Sequence, residues 1–305
     1  CWVNTAAAGD LDGDGWTDLV VAGGEWGVLR NAGEGRLADV TATAGLPLQS
    51  ETLAQIVLAD VDEDGDPDLL TVTGFPARLE LWLNESEPAT TGGIRFAPAR
   101  ELDLPLAERI NSIAVADLDN DGLLDLYVSQ FAGKFNRPNL AACGRGDGAF
   151  VTVPGAWGAA GPVPSLPSGV WAVDLDTDGD LDLALINGAE HHPDRQGLVE
   201  IYRNDTPARG LTLRLEPAAG PPHGLGAVVT LRVGERNLTR RVRAEGNPWN
   251  STILPLHFGV GLEPGPFKAV VRWPGGLIQE IELPAAGAAY VLSEGGQPVA
   301  RTATR

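Results

Sequence analysis

Short apolar runs between clusters of Gly, Asn and Asp dominate the first two thirds of this 305-residue chain. The runs at 55–59 and 112–116 each lead into an acidic segment, and a second apolar run follows each segment. Glycine-rich hairpin patterns then complete the unit, as at 27–41 and 139–153. Strand-length apolar runs bounded by turn residues indicate antiparallel β-structure, and no helical periodicity of useful length is present.

The acidic segments share the pattern D-x-D-x-D-G-x-x-D. They read DLDGDGWTD at 10–18, DVDEDGDPD at 60–68, DLDNDGLLD at 117–125 and DLDTDGDLD at 174–182. Their first aspartates lie 50 to 57 residues apart. A period of this size with about four strands per unit is typical of propeller blades. The sequence therefore predicts an all-β fold, a β-propeller or partial propeller of four-stranded blades.

The texture changes after residue 207, where the acidic repeats end. Alternating strand patterns such as LTLRLEP, GAVVTLRVG, LTRRVRAEG at 238–246 and KAVVRWPGG fill residues 208–296. These patterns predict a small β-sandwich-like C-terminal domain. The predicted organisation is thus a repeat region at 1–207, a second β-domain at 208–296 and a loose tail at 297–305.

The acidic segments bring like charges together, which requires a compensating cation. Two carboxylates about 4 Å apart repel by roughly 4 kcal/mol at an effective dielectric near 20. Carboxylates at alternate positions of a tight loop supply the six to eight oxygens that calcium takes, and a glycine at position 6 permits the sharp turn. An EF-hand is unlikely because position 12 is apolar in the first loop (Val21) and the flanks are strands. Magnesium is also less favoured, since it prefers small octahedral shells that keep waters.

The predicted ligands occupy positions 1, 3, 5, 7 and 9 of each loop, with a backbone carbonyl at position 7 where no acid stands there. They are Asp10, Asp12, Asp14, Trp16 and Asp18; Asp60, Asp62, Asp64, Asp66 and Asp68; Asp117, Asp119, Asp121, Leu123 and Asp125; and Asp174, Asp176, Asp178, Asp180 and Asp182. We expect about four Ca²⁺ ions, one per loop. The position-9 aspartate is expected to close the site.

The net charge of −19 limits the classes of partner that the chain is expected to bind. A nucleic-acid surface or an anionic-membrane surface calls for basic patches, so both are disfavoured. No apolar run reaches the roughly 18 residues of a membrane-spanning helix. No nucleophile elbow, phosphate-cradling glycine loop or metal–histidine cluster is visible.

The four acidic loops resemble the calcium-binding FG-GAP/VCBS repeats of integrin α-subunit propellers and of many bacterial surface proteins. The segments GLGAVVTLRVG at 224–234, LHFGVG at 256–261 and VVRWPGGLIQEI at 270–281 resemble the ASPIC/UnbV domain. The combination resembles the cartilage acidic protein 1 family and its bacterial relatives. This resemblance implies a secreted, calcium-loaded propeller with a β-rich C-terminal module and a binding or adhesive role. The departure is in number, since family propellers usually have seven blades and four repeats are visible here.

Three classes of function follow as hypotheses. The first is a non-enzymatic, calcium-dependent recognition or adhesion protein, extracellular or at the cell surface, whose partner is a protein or a glycan. The second is a structural subunit of an extracellular filament or surface assembly, and the third is a carbohydrate-active enzyme on a propeller scaffold. An unclosed arc of blades would expose apolar faces and strand edges. Further blades, the 208–296 domain folded back or a neighbouring copy of the chain could cover them. We expect the propeller edges to contact further copies of the chain or further segments.

Several isolated signals have a simpler structural interpretation. Arg145-Gly146-Asp147 spells an integrin-binding tripeptide but lies where a hairpin turn is expected. Glu190, His191 and His192 could suggest a transition-metal site, although adjacent loop histidines are usually polar surface. His257 lies within the C-terminal signature, which favours a packing role. Four N-glycosylation sequons, Asn-x-Ser/Thr, begin at Asn84, Asn204, Asn237 and Asn250.

The two cysteines, Cys1 and Cys143, leave three alternatives open. They are two unrelated thiols, or a disulfide of the kind favoured outside the cell. In the third, Cys1 is the lipidated first residue of a mature lipoprotein.

Overall fold

The structure, a computed structural model, describes residues 4–47, 53–87, 93–131, 138–161, 167–187, 198–220, 222–247 and 250–301. Regular structure in these ranges is almost entirely β-strand, so the predicted all-β class is confirmed. Short 3₁₀ turns also occur, at Pro154–Gly158 and Pro222–Gly224. Among the described residues, no helix is long and apolar enough to cross a lipid bilayer.

Three antiparallel four-stranded sheets form blades 1 to 3, and in each sheet the strands follow chain order. Blade 1 contains β1 (Thr5–Gly9), β2 (Asp18–Ala22), β3 (Trp26–Asn31) and β4 (Leu37–Asp39). Blade 2 contains β5 (Leu53–Ala59), β6 (Asp68–Gly74), β7 (Ala77–Trp82) and β8 (Arg100–Glu101). Blade 3 contains β9 (Arg109–Ala116), β10 (Asp125–Phe131), β11 (Leu140–Gly144) and β12 (Phe150–Val153).

Blade 4 has three strands in the described part of the chain, where the repeat pattern predicts four. They are β13 (Pro167–Val173), β14 (Asp182–Asn187) and β15 (Leu198–Tyr202). After β15 the chain does not turn back along the blade. It continues into β16 (Arg209–Glu216), which belongs to a different sheet. The change of sheet occurs next to the predicted boundary at residue 207.

Apolar side chains on alternate positions of the second strands fill the spaces between blades. Val20 and Ala22 of blade 1 pack on blade 2, and Leu70 and Val72 of blade 2 pack on blade 3. Tyr127 of blade 3 packs on blade 4. The first strands β1, β5, β9 and β13 contact one another in this order. Each blade is therefore stabilised by burial against its neighbour rather than by a core of its own.

Two four-stranded sheets make the C-terminal domain. The first has the order β21 (Leu256–Gly261), β16, β24 (Ala288–Ser293), β25 (Val299–Arg301). The second has the order β18 (Arg236–Arg241), β17 (Val228–Val233), β22 (Phe267–Arg272), β23 (Ile278–Leu283). Both sheets contribute to one apolar core, which is a sandwich arrangement. Strand β25 lies within the segment 297–305 that the sequence predicts as a loose tail.

A separate hairpin leaves this sandwich and enters the repeat region. It consists of β19 (Ala244–Asn247) and β20 (Asn250–Ile253). Strand β19 contacts the first strand of every blade, β1, β5, β9 and β13. The hairpin therefore lies where the four blades converge, which no local sequence pattern indicates.

Candidate metal centres

Each acidic loop connects the first and second strands of a blade. Position 6 is a glycine with φ between 90° and 99° in all four loops, at Gly15, Gly65, Gly122 and Gly179. A left-handed backbone of this kind suits glycine because it has no Cβ. Sequence reasoning missed a second left-handed residue at position 4, where φ is 61° to 69°. These residues are Gly13, Glu63, Asn120 and Thr177.

The first aspartate of each loop uses one carboxylate oxygen and leaves the other without a partner. Oδ2 accepts the position-6 N–H at 3.2 Å in Asp10, 3.1 Å in Asp60 and 2.9 Å in Asp117. Gly179 likewise donates to Asp174. The other oxygen, Oδ1, is buried without a hydrogen-bond partner in all four aspartates. Buried polar atoms are seldom unpaired, so a fourfold repetition requires an explanation, and a cation bound at these oxygens would supply one.

Positions 3 and 5 hold their carboxylates by hydrogen bonds within the loop. The N–H of position 7 donates to the position-5 carboxylate in every loop, as from Trp16 to Asp14 at 2.8 Å and from Leu123 to Asp121 at 2.8 Å. Asp66 and Asp180 donate in the same way, at 2.9 and 3.0 Å. In each loop, ligand atoms of three acidic residues lie within 4.8 Å of one another; the third residue is at position 9 in loops 1 and 2 and at position 5 in loops 3 and 4. The groups are Asp10, Asp12 and Asp18; Asp60, Asp62 and Asp68; Asp117, Asp119 and Asp121; and Asp174, Asp176 and Asp178.

Position 9 has a structural role that the sequence did not indicate. In Asp68, Oδ2 accepts the N–H of Val61 at 2.9 Å and Oδ1 accepts the N–H of Asn84 at 2.8 Å. The same pair of bonds holds the other position-9 residues, Asp18, Asp125 and Asp182. Each of these carboxylates joins the start of its loop to the hairpin that follows. Its role as a closing ligand stays a prediction, as do the carbonyl ligands at Trp16 and Leu123.

Burial without a counter-ion raises the pKa of several loop carboxylates. The pKa values of Asp60, Asp68 and Asp125 rise to about 7, mainly through burial. Asp117 is 1% exposed, and burial raises its pKa well above the usual value. The metal-free loops therefore disfavour their own charge, which a divalent cation would reverse.

Loops 1, 3 and 4 differ in the side chains that approach their acidic residues. In loop 1 the Arg30 guanidinium forms ion pairs with Asp12 and with Asp14, the latter at 2.9 Å. In loop 3 the Cys143 Sγ lies 3.5 Å from Asp119 Oδ2. The acid at position 7 of loop 4, Asp180, instead accepts a bond from Asn120 Nδ2 at 2.7 Å. The loops are therefore not equivalent binding sites.

The C-terminal domain covers the loops and contacts all four of them. Arg241 Nη1 lies 3.3 Å from Asp10 Oδ2 in loop 1, and Arg240 Nη1 lies 3.3 Å from Glu63 Oε1 in loop 2. In loop 3, Gly259 N donates to Asp117 Oδ2 at 2.9 Å. In loop 4, Thr212 Oγ1 donates to Asp174 Oδ2 at 3.1 Å.

His257 belongs to the same interface. The ring is buried, with Nε2 2.8 Å from Asn120 Oδ1, and burial lowers its pKa to about 3. A neutral imidazole packed on loop 3 agrees with the packing role that the sequence favours.

The remaining sequence signals are an Arg-Gly-Asp tripeptide, a pair of histidines and two cysteines. Arg145-Gly146-Asp147 forms the turn between β11 and β12, in which Arg145 N donates to Ala149 O at 3.0 Å. Glu190, His191 and His192 lie outside the described residues. Cys143 has no disulfide partner among the described residues, and Cys1 lies outside them.

Two of the sequon asparagines link neighbouring blades. Asn84 Nδ2 donates to Leu11 O of loop 1 at 3.0 Å and to Pro67 O at 3.1 Å. Asn204 Nδ2 donates to Leu118 O of loop 3 at 2.7 Å. A glycan on Asn84 would require breaking these bonds. Asn237 is exposed, and the side chain of Asn250 is not described.

The fold and the acidic loops together define a class of protein, an all-β repeat protein. Each of its acidic loops lies between the first two strands of a blade and could hold a metal ion. Comparison with known families agrees with this class. The FG-GAP-like repeat model matches residues 10–71, and the ASPIC and UnbV model matches residues 218–299. The two regions are thus similar to an FG-GAP-like repeat and to an ASPIC and UnbV domain, the resemblance that the sequence predicts.

Individual relatives are more distant. Cartilage acidic protein 1 of Xenopus tropicalis is 25% identical over 257 residues, and the human protein of that name is 25% identical over 275 residues. Each match covers 82% of this chain, and the chain spans less than two fifths of either relative. The predicted resemblance to the cartilage acidic protein 1 family is confirmed. A solved structure of an N-acetylglucosamine-recognising Agrocybe aegerita lectin gives a TM-score of 0.40 at 18% identity, covering 91% of this chain and 66% of the lectin.

Proposed function

We propose that this chain is a calcium-loaded, non-catalytic recognition or adhesion module of the extracellular space or cell surface. One observation carries the proposal. Four repeated loops each present a buried carboxylate oxygen, Oδ1 of the first aspartate, that has no partner. The similarity to cartilage acidic protein 1, whose name refers to cartilage, supports the extracellular setting.

The donor set favours calcium over softer metals. In loops 1, 2 and 4 the clustered ligand atoms are all carboxylate oxygens, which hard cations prefer. Loop 3 adds the Cys143 thiol, but burial and the neighbouring aspartates raise the pKa of that thiol to about 12. A protonated thiol is a poor ligand, so oxygen ligation by calcium is favoured there too. We expect about four ions, one per loop.

The ions have a structural role in this proposal, since the C-terminal domain covers the loops. A partner, protein or glycan, would then bind elsewhere on the exposed surface, and calcium would maintain the shape of that surface. The acidic balance disfavours nucleic acid as the partner. Turnover of a polysaccharide by the purified chain would contradict the non-catalytic part of the proposal.

Metal content and stability test the calcium part. Demetallated protein titrated calorimetrically should take up about four Ca²⁺, and clearly fewer than three would contradict the proposal. Chelation should lower Tm, since an ion that binds only the native state stabilises it. Asp14→Ala should lower Tm in calcium, and should lower it less in chelator, where the loss is that of the ion pair with Arg30. Asp103→Ala, at an exposed residue outside the loops, is the matched control.

The recognition part needs a separate measurement. The calcium-loaded chain should bind a subset of a glycan array or a cell-surface protein, and chelation should abolish that binding. Binding that is equal with and without calcium would contradict calcium-dependent recognition.

One surface favours a second candidate, a subunit of a larger assembly. Ile186, Val199 and Ile201 of blade 4 are 39%, 65% and 61% exposed. In β14, Ala184 and Ile186 occupy the places that Val20 and Ala22 hold in blade 1, where both are fully buried against blade 2. The outer face of blade 4 is thus built like a blade-to-blade contact. Its proposed occupant is the outer face of blade 1 in a second copy of the chain.

That occupant is chosen by equivalence between repeats. Leu19 and Val21 of β2 point to the opposite side of blade 1 and are half-buried. The corresponding leucines of blade 4, Leu183 and Leu185, are buried against blade 3. Each copy therefore carries both faces of a blade-to-blade contact, one on blade 1 and the other on blade 4. Blade 4 of one copy can then pack on blade 1 of the next, so that the copies assemble head to tail.

Light scattering in calcium tests the assembly. The wild-type chain should form oligomers or filaments, and Ile201→Glu should shift it toward monomer. Leu262→Glu, at another highly exposed apolar residue, should not. A wild-type chain that stays monomeric at high concentration would exclude this candidate.

A further inference from the structure

The two oxygens of the first aspartate in loops 1, 3 and 4 have different surroundings. Oδ2 accepts a bond from the C-terminal domain, donated by Arg241 to Asp10, by Gly259 to Asp117 and by Thr212 to Asp174. Oδ1 of the same aspartates is buried and has no partner. One carboxylate thus faces the covering domain with one oxygen and the proposed ion with the other.

We infer that docking of the C-terminal domain and calcium binding are positively coupled through these bridging aspartates. The inference rests on the calcium binding proposed above. Because the domain and the ion use different oxygens, they do not compete for a ligand atom. Donors behind a ligating carboxylate fix its orientation, and losing one typically weakens metal binding about 10- to 100-fold.

Loops 3 and 4 carry the coupling most clearly. Gly259 and Thr212 donate from an uncharged amide and an uncharged hydroxyl, so these two bonds orient the aspartate without a charge of their own. In loop 3 the domain also brings the Arg240 guanidinium near Asp117, so loop 4 is the clearer case. Arg241 also orients Asp10, but its charge opposes a cation in loop 1. We therefore assign Gly259 and Thr212 as positioning residues for calcium in loops 3 and 4.

The domain lies too close to loop 3 for this contact to be incidental. A Cβ added at Gly259 would lie 2.1 Å from Asp117 Oδ2 and 2.5 Å from Asn120 Cα. Gly261 N donates to Asn120 O at 2.8 Å. Arg240 Nη2 donates to Gly122 O at 2.9 Å. The loop backbone and β21 thus fit together only when both are in their observed positions.

Matched substitutions separate coupling from general damage to the domain. Gly259→Ala fills the contact with Asp117, whereas Gly275→Ala, in the same domain, would place its Cβ 4.0 Å from its nearest neighbour, Glu294 Oε1. Thr212→Val removes the donor to Asp174 with little change of shape. Its control is Thr230→Val, because the Thr230 hydroxyl bonds within the domain, 3.2 Å from the Thr239 hydroxyl. Thr212→Val keeps the test valid even where Gly259→Ala fails to fold.

The experiment measures calcium affinity and docking on the full chain. Calcium titration by calorimetry should show one class of site weakened about tenfold or more in Gly259→Ala and in Thr212→Val, and unchanged affinity in the two controls. Hydrogen exchange should show β21 protected in calcium and less protected in chelator. Coupling is reciprocal, so the same two variants should also lose protection of β21 in calcium.

The outcomes distinguish this inference from the proposed function. A wild-type chain that takes up no calcium overturns both. A wild-type chain that binds about four ions, with equal affinities in Thr212→Val and Thr230→Val and with β21 equally protected in calcium and chelator, overturns the coupling alone.

Discussion

At the scale of single residues, the loops combine aspartates that burial makes hard to ionise. Burial raises the pKa of Asp60, Asp68 and Asp125 to about 7, and that of Asp18 and Asp180 to about 6. In metal-free protein the native state therefore holds protons that the unfolded state releases near pH 4. Stability from these groups is complete below pH 4 and is lost as pH rises toward 7.

We accordingly expect Tm in chelator to fall between pH 5 and pH 8. His257 acts in the opposite direction, because its pKa is lowered to about 3 and its contribution grows up to about pH 6.5. Five aspartates outweigh one histidine, and only the aspartates still titrate near pH 7. Thermal melts in chelator at several pH values measure this, with calcium-loaded protein as the control. A metal-free Tm that rises from pH 5 to pH 8 would contradict the assignment.

Arg30 makes loop 1 the weakest expected calcium site. Its guanidinium already pairs with Asp12 and Asp14, and its side chain is 25% exposed. Arg30→Gln should tighten calcium binding in loop 1 by roughly three- to tenfold, about 1 kcal/mol, by removing a like charge. The same change should lower Tm in chelator, where the carboxylates lose their cation. Trp16 fluorescence, from position 7 of the loop, reports the binding, and Arg36→Gln at an exposed ion pair is the control.

How much the sequence predicts depends on the distance along the chain. Positions 1, 3, 5, 6 and 9 of a loop lie within nine residues, so their spacing alone predicts a turn with convergent carboxylates. The approach of Arg30 depends on the β2–β3 hairpin, and the left-handed residue at position 4 varies from Gly13 to Glu63, so neither has a sequence signature. The double hydrogen bonding of position 9 also depends on a backbone N–H from beyond the loop.

At the scale of elements, the position-9 aspartate joins the loop to the hairpin of its blade. In Asp68→Asn the amide replaces an acceptor by a donor that faces a backbone N–H. We expect a loss of about 1–3 kcal/mol of unfolding free energy, in calcium and in chelator alike. Asp64→Asn, at an exposed position 5 of the same loop, should matter mainly in calcium. Denaturant unfolding of both variants in both conditions measures the difference, and an Asp68→Asn effect confined to calcium would assign it to the ion alone.

Strands that repeat are predicted well from the sequence, and strands that depart from the repeat are not. The alternation in β2, β6, β10 and β14 follows each loop directly, so the blades could be assigned. The segment 238–246 reads as one strand, yet it forms the end of β18 and the start of β19, which lie in different sheets. The chain there leaves the sandwich for the blades, and only tertiary contacts decide where a strand ends in such a case.

At the scale of the whole molecule, the covering of the loops is the feature that the sequence could not supply. His257 meets Asn120, and Thr212 meets Asp174, across large separations in the chain. The sequence predicts two domains from a change in texture, but texture is local and says nothing about their relative placement. This is why the sequence predicts the acidic loops but not their contacts with the C-terminal domain.

The hairpin at the convergence of the blades has a consequence for how the molecule comes apart. In a linear array each repeat touches only its neighbours, and repeats at the ends can fray one at a time. Because β19 contacts the first strands of all four blades, β1 and β13 both depend on one shared element. Losing any blade removes part of the support of the other three, so we expect calorimetric and van't Hoff enthalpies to agree for the calcium-loaded chain. Separate transitions for the two ends would contradict this. The repeat region should therefore unfold as one cooperative unit, in which no blade unfolds before the others.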